Sequence, residues 1–333
     1  MRLNYIYEGD VIDHLLEFPD GSVQCVVTSP PFFNLRDYGQ EGQIGLEKTP
    51  EEYVDKMVRV FGEIKRVLKD DGTVWLNLGD SYSAGTMTKH TGEARKNRDM
   101  TAMSGIIRKY NKPKNLIGIP WRVAFALQND GWYLRQDIIW HKPNPMPESV
   151  KDRCTKAHEY IFLLSKSDKY YYDADAIRTP LKDGAMRRLM QDIENQKGSD
   201  RVLGKTNGPM KAVGGKDWQS HMAGGGSKIK GHKGYFDKDG NPTCGPTANR
   251  KSVWKINTQP YKEAHFAVFP PELPELCIKA GTKEGDIVLD PFFGSGTTGW
   301  VAQRLGRKWI GIELNPEYIE IAKKRFVQQE LFT

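Results

Sequence analysis

Two short stretches near opposite ends of the sequence carry residue types suited to one reaction: Thr28-Ser29-Pro30-Pro31-Phe32 and Asp290-Pro291-Phe292-Phe293-Gly294-Ser295-Gly296-Thr297. The first is suited to holding an amine. An exocyclic amine on an aromatic ring is a poor nucleophile, because its lone pair is delocalised into the ring. Acceptors aimed at both of its hydrogens draw the nitrogen toward tetrahedral geometry and free that lone pair for an electrophile. Positioning and charge stabilisation then do the work of a strong base. Ser29 Oγ and the Pro30 carbonyl are acceptors of the right kind. Pro30 and Pro31 fix two φ angles and remove two N–H donors, and Phe32 offers a face for a planar ring. Taken alone, Ser-Pro-Pro reads as a turn after a strand; the second stretch reverses that reading.

Gly294, Gly296 and Gly299 form a G-x-G-x-x-G pattern between an apolar run, Asp286 to Leu289, and a helical pattern from Thr297 to Leu305. Glu313 closes the next apolar run, 19 residues past Gly294. Glycines let the backbone turn tightly against a ligand, and an acid at that spacing suits a ribose hydroxyl pair. The ligand so far is a nucleoside. A dinucleotide would set its pyrophosphate at the helix N-terminus. Here Asp290 and the bulk of Pro291, Phe292 and Phe293 precede the glycines. A carboxylate there repels phosphate and attracts an ammonium or a sulfonium. A nicotinamide-dependent oxidoreductase also leaves Ser-Pro-Pro-Phe without a role.

Both loops follow strand-like runs, Val23 to Val27 and Asp286 to Leu289. In open α/β sheets ligands bind beyond the carboxyl ends of strands, so the loops are expected to meet over one crevice. Around them the sequence alternates strand and helix: Tyr5–Tyr7, a short helix Val11–Phe18, the strand at 23–27, an amphipathic helix Pro50–Leu68 stopped by Asp70-Asp71-Gly72, and a strand Thr73–Leu78. A helix Trp121–Asn129 and strands Leu134–Trp140 and Glu159–Leu164 follow. After a long irregular stretch come a helix Leu273–Ala280, the glycine loop, a strand Trp309–Glu313 and a last helix opened by Asn315-Pro316. This rhythm implies a largely parallel sheet.

Charge is segregated. Residues 84–115 carry a net +6 and residues 181–255 a net +8, so the remainder of a chain with total charge +7 is acidic at −7. Positive charge confined to two Gly-rich segments favours a polyanionic partner. Lys205, Lys211, Lys228, Lys230 and Lys233 are the candidate DNA contacts, with Trp218, Tyr235, Phe236 and Trp254 nearby as aromatics whose simpler role is packing. The four cysteines show no CxxC spacing and the histidines no HxxxH pair, so neither a disulfide framework nor a metal site is expected. Cys25 and Cys277 are expected to pack as small hydrophobes. No run approaches membrane-spanning length, and the cytoplasm is the expected compartment.

The context D-P-F-x-G-S-G-T together with Ser-Pro-Pro-Phe resembles the amino-group DNA methyltransferases, which use S-adenosylmethionine (AdoMet). The order, catalytic loop first and cofactor loop last, is similar to that of their beta class. Gly9-Asp10, Trp140-His141-Lys142-Pro143 and the Phe269-Pro270 turn also match. The resemblance covers residues 1–180 and 255–333. It implies a Rossmann-like AdoMet-dependent fold with a seven-stranded sheet, in which 1–180 is the catalytic half, 181–255 an inserted target-recognition region and 256–333 the cofactor half. Ser29, Pro30, Pro31 and Phe32 take the catalytic positions. Asp10, Thr28, Asp290, Phe292, Gly294, Ser295, Gly296, Thr297 and Glu313 take the cofactor positions. The substrate implied is double-stranded DNA, with the target base flipped into the pocket. Serine as the first motif residue looks more like cytosine-N4 enzymes, and adenine-N6 stays open. A non-catalytic DNA-binding protein would tolerate loss of Ser29 and Glu313, yet both motifs are intact. A homodimer and a cognate restriction enzyme stay open as partners.

Overall fold

The computed structural model describes residues 1–83, 112–181, 247–259 and 268–330. The chain divides into two compact units, Met1–Asp173 with Lys251–Thr333, and Ala174–Arg250. In the smaller unit, a single 3₁₀ turn at Asp175–Ile177 leads into β6 (Thr179–Pro180), which pairs antiparallel with β7 (Thr247–Ala248). Arg178 closes that pair by donating to the Thr247 hydroxyl at 2.8 Å and to Asn249 Oδ1 at 2.9 Å.

The larger unit is built on one eight-stranded sheet. Its strands are β1 (Tyr5–Glu8), β2 (Val23–Thr28), β3 (Leu68–Leu78), β4 (Tyr133–His141), β5 (His158–Ser165), β8 (Val253–Lys255), β9 (Ile287–Asp290) and β10 (Lys308–Glu313). Their order is β1-β10-β9-β2-β3-β5-β4-β8. Only β5 runs antiparallel to its neighbours, β3 and β4. Helices α1 (Val11–Leu16), α2 (Pro50–Val67), α3 (Ile119–Asn129), α4 (Glu272–Gly281) and α5 (Thr297–Arg304) lie in the connections between strands, and α6 (Pro316–Glu330) follows the last strand. All six residues of β2 are buried, as expected for a central strand covered on both faces. Tyr53, Met57, Val60, Phe61 and Ile64 line the buried face of α2, capped by the Thr49 hydroxyl, which accepts from Glu52 N at 3.1 Å. Cys25 and Cys277 are buried and Cys154 is exposed. No helix among the described residues is long and apolar enough to cross a membrane.

Two details differ from the sequence reading. No turn separates α2 from the next strand; β3 begins at Leu68, and the partners of β2 jump from Leu68 at Val23 to Thr73 at Cys25. The polar Lys69-Asp70-Asp71-Gly72 segment is thus accommodated as a bulge within the strand, which tolerates extra residues better than the buried ladder tolerates a break. The sheet also has eight strands where seven were expected. Val253–Lys255, placed by sequence in the inserted region, pairs parallel with Ile139–His141. Trp254 explains this: it is 3% exposed and lies with its ring 6.2 Å from that of Trp75, so burying the indole draws the segment onto the sheet.

The functional loops follow from the pairing of β2 with β9, in which Cys25 faces Val288 and Val26 faces Leu289. Being parallel neighbours, the two strands deliver their following loops to the same edge. Beneath the glycine loop, Phe293 stacks on Trp309 with ring centroids 5.3 Å apart. A Cβ at Gly311 would lie 2.3 Å from the Phe293 ring. Gly311→Ala is therefore expected to destabilise the protein by about 1–3 kcal/mol through overpacking. Urea unfolding checks this; an unchanged midpoint would mean the ring moves aside freely.

Candidate active site

A cavity of about 900 Å³ opens where the two loops meet. Ser29, Pro31, Phe32 and Asn77 border it from one side, and Asp290, Phe292, Gly294, Ser295, Thr297 and Glu313 from the other. Asp10 borders it as well. The sequence motifs, more than 250 residues apart, thus share one space. Thr28, Pro30 and Gly296 are not themselves among the lining residues but adjoin ones that are.

The link between the loops is direct. Thr28 Oγ1 donates to Asp290 Oδ1 at 2.7 Å, and Thr298 Oγ1 donates to Asp290 Oδ2 at 2.7 Å. Phe292 N adds a third donor at 3.1 Å. Thr28 thereby serves as a tie to the cofactor loop. The Asp290 carboxyl is pushed up to about 7 by burial, against which its three hydrogen bonds work.

At the acceptor end, Ser29 Oγ donates to Asn77 Oδ1 at 3.0 Å. The Asn77 amide is oriented by its other side, where Nδ2 donates to Glu159 Oε2 and to the Tyr160 carbonyl, both at 3.1 Å. Two acceptors facing Nδ2 leave Oδ1 no choice but to face Ser29. The Ser29 proton is committed to Asn77, so the hydroxyl's lone pairs stay available to accept. Lys142 balances the charge of Glu159 through an ion pair and lies 4.2 Å over the Trp140 ring. Tyr53 contributes from α2 by donating its hydroxyl to the Pro31 carbonyl at 2.9 Å. Gly79 makes room for Phe32, since a Cβ there would lie 2.5 Å from the ring.

At the other end, Glu313 is held by two backbone amides: Gly294 N reaches Oε2 at 2.7 Å and Asn315 N reaches Oε1 at 2.8 Å. Each oxygen keeps a further lone pair for a ligand hydroxyl. Asp10 caps α1, with Oδ1 accepting from Ile12 N at 2.8 Å. Gly294 and Gly296 adopt left-handed φ of 51° and 75°, which the loop's tight course requires. Arg325 of α6 donates to the Ser295 carbonyl at 3.2 Å and to Thr297 Oγ1 at 2.5 Å, fixing the loop from below. The edge-to-face pair Tyr38 and Tyr318, 5.9 Å apart, also borders this end.

These residues fit a nucleoside that carries positive charge. Of the acidic residues that border the cavity, Asp10, Asp290 and Glu313 lie at the glycine-loop end with aromatic rings beside them. The same carboxylates oppose a pyrophosphate. Sequence reasoning missed Asn77, Glu159, Tyr53 and Arg325, and gave Lys142 no role beyond the Trp140-His141-Lys142-Pro143 resemblance. Tyr53 falls within the amphipathic helix read at Pro50–Leu68, and Asn77 within the strand read at Thr73–Leu78, neither with a role of its own. A polar residue alone inside such a strand was the available signal for Asn77. Lys205, Lys211, Lys228, Lys230 and Lys233 lie outside the described residues, as do Trp218, Tyr235 and Phe236.

The DNA methylase family, of N6/N4 type, matches residues 23–324. The chain belongs to that family. It is 44% identical over 320 residues to the Type II methyltransferase M.Cfr9I of Citrobacter freundii, covering 96% of this chain and 86% of that protein. It is also 44% identical over 335 residues to M.SmaI of Serratia marcescens, covering 99% and 92%. Among solved structures, the PvuII DNA methyltransferase (cytosine-N4-specific) superposes with a TM-score of 0.59 at 22% identity, over 96% of this chain and 85% of that one. A putative DNA modification methylase of Thermus thermophilus, complexed with S-adenosyl-L-methionine, gives 0.55 at 23%, over 97% and 93%. These structural matches establish the shared α/β fold.

As a DNA methyltransferase, the protein should depend on Asn77 for rate more than for stability. Asn77→Leu removes the partner of Ser29 Oγ and one of the two partners of Glu159, at about 1–3 kcal/mol of folding stability. We expect the methylation rate to fall by more than about tenfold, as for a displaced electrostatic partner. Calorimetric affinity for the methyl donor should stay unchanged. Parental turnover by Asn77→Leu would remove this hydrogen-bond chain from catalysis.

Proposed function

We propose that the protein transfers a methyl group from AdoMet to the N4 amine of a cytosine flipped out of duplex DNA. The observation that carries this reading is the Ser29 hydroxyl at the cavity wall, its proton held by Asn77 and its lone pairs free. One amine hydrogen is accepted by Ser29 Oγ and the other by the Pro30 carbonyl, while Phe32 stacks on the ring. The amine lone pair then points across the cavity toward the glycine loop. AdoMet, when bound, supplies an electrophilic methyl on a sulfonium. Glu313 takes the ribose hydroxyls, and Asp10 and Asp290 provide negative potential for the cationic end.

Serine, a neutral acceptor, at the first motif position supports cytosine, as does the specificity named for the PvuII enzyme. The basic segment 181–255, with Lys205, Lys211, Lys228, Lys230 and Lys233, is assigned to target recognition in this reading. The Type II relatives support a cognate restriction enzyme that shares the recognised sequence.

Base-resolved modification mapping of DNA from cells expressing the chain tests the assignment. N4-methylcytosine in one sequence context is expected, and Ser29→Ala should reduce it on the order of a hundredfold. N6-methyladenine in its place would overturn the choice of base, and unmodified DNA would overturn the activity.

Asp290 gives a second test. A sulfonium favours the ionised carboxylate, so binding draws off the proton that burial retains up to about pH 7. AdoMet affinity should therefore rise as pH increases through about 7 and level off above it. Calorimetry below that pH, in buffers of differing ionisation enthalpy, should detect proton release that Asp290→Asn abolishes. A pH-independent affinity would place the charge of the ligand elsewhere.

A further inference from the structure

Among the described residues, two large apolar side chains are exposed and border the cavity: Leu35, 58% exposed, and Met146, 86% exposed. Met146 stands on Pro143-Asn144-Pro145-Met146-Pro147, directly after β4. Pro145 fixes the φ angle before it, and Pro147 confines Met146 itself to extended conformations. The segment is pinned on both sides. Asn144 Nδ2 donates to the Thr258 carbonyl at 3.2 Å, and Thr258 N donates to Asn144 Oδ1 at 3.0 Å. Beyond Met146, Glu148 accepts from Arg153 at 2.6 Å and from Lys156 N at 3.1 Å. The Lys156 ammonium reaches back to the Asp80 carbonyl at 2.7 Å on the cavity wall.

An unbranched apolar side chain is thus held out into water at the mouth of the catalytic cavity, on backbone that is restrained on either side. Proteins that open a base stack insert such apolar side chains between base steps. We propose that Met146 is the wedge that enters the stack as the target base leaves it, filling the gap while the base occupies the pocket beside Ser29. Exposed Lys151, in the same segment, offers positive charge to a flanking phosphate. The inference rests on the base-flipping reading above, and it adds a residue that neither sequence motif contains.

Single-turnover methylation tests it on two short duplexes carrying the mapped recognition sequence, one with the target base paired and one with it mismatched. A mismatch lowers the cost of extrusion, so it should substitute for the wedge. Met146→Ala is expected to slow methylation of the paired duplex by roughly tenfold or more and to act on the mismatched one at close to the parental rate. Met146→Leu, which keeps an apolar wedge, should stay near the parent on both, and all three proteins should bind AdoMet equally. Equal slowing on both duplexes would make Met146 a wall of the base pocket and overturn the wedge, as would no slowing on either. If the unmodified enzyme itself gains nothing from the mismatch, base extrusion fails as the reading, and the wedge with it.

Discussion

The site depends on one buried carboxylate. Asp290 ends β9 and accepts hydrogen bonds from Thr28, at the end of β2, and from Thr298, in the first turn of α5. Those residues belong to the acceptor loop, the cofactor strand and the cofactor helix. Any shift between the two halves of the cavity breaks a hydrogen bond to a group nearly inaccessible to water, where the loss is costly. The backbone pairing of β2 with β9 brings the loops together, and Asp290 holds them in register. That it sits near neutrality rather than well below it follows from the same burial.

The two ends of the cavity solve different electrostatic problems. The glycine-loop end gathers Asp10, Asp290 and Glu313, each accepting from backbone amides, while burial pushes the pKa of the latter two up. Negative potential there is available to a cationic ligand. The acceptor end needs directed lone pairs and little net charge. There Glu159 is paired with Lys142, and the influence of Glu159 reaches Ser29 through the neutral Asn77 amide. A carboxylate in direct contact with Ser29 would compete for its proton. An amide orients the hydroxyl and leaves it neutral.

Rigidity has a common cause on both sides. Tyr53 from α2 fixes the Pro31 carbonyl, and Arg325 from α6 fixes Ser295 and Thr297. Helices buried for reasons of packing thus supply the groups that hold both cavity loops still. In a reaction driven by positioning, an error of about 1 Å in such a loop costs much of the rate. The neighbouring glycines serve the same end by letting Phe32 and Phe293 approach the backbone closely.

Much of this was legible in the residues themselves. Apolar periodicity placed the main helices and strands to within a few positions, because burial on one face or two leaves a repeating signature. Proline, glycine and acid at fixed spacings marked both loops, because each type imposes a local backbone geometry or charge wherever it stands. Trp254 and the Lys69–Gly72 segment were misplaced for a different reason: an indole joins the sheet, and a polar run bulges, only when a partner strand is present. The roles of Glu159 and Arg325 were silent in sequence, since a hydrogen bond across tens or hundreds of residues has no local pattern. Sequence determined the local geometry and charge of the two loops. The tertiary structure alone decided where the Ser29 proton points and how Asp290 joins the halves, because both are set by contacts between strands far apart in the chain.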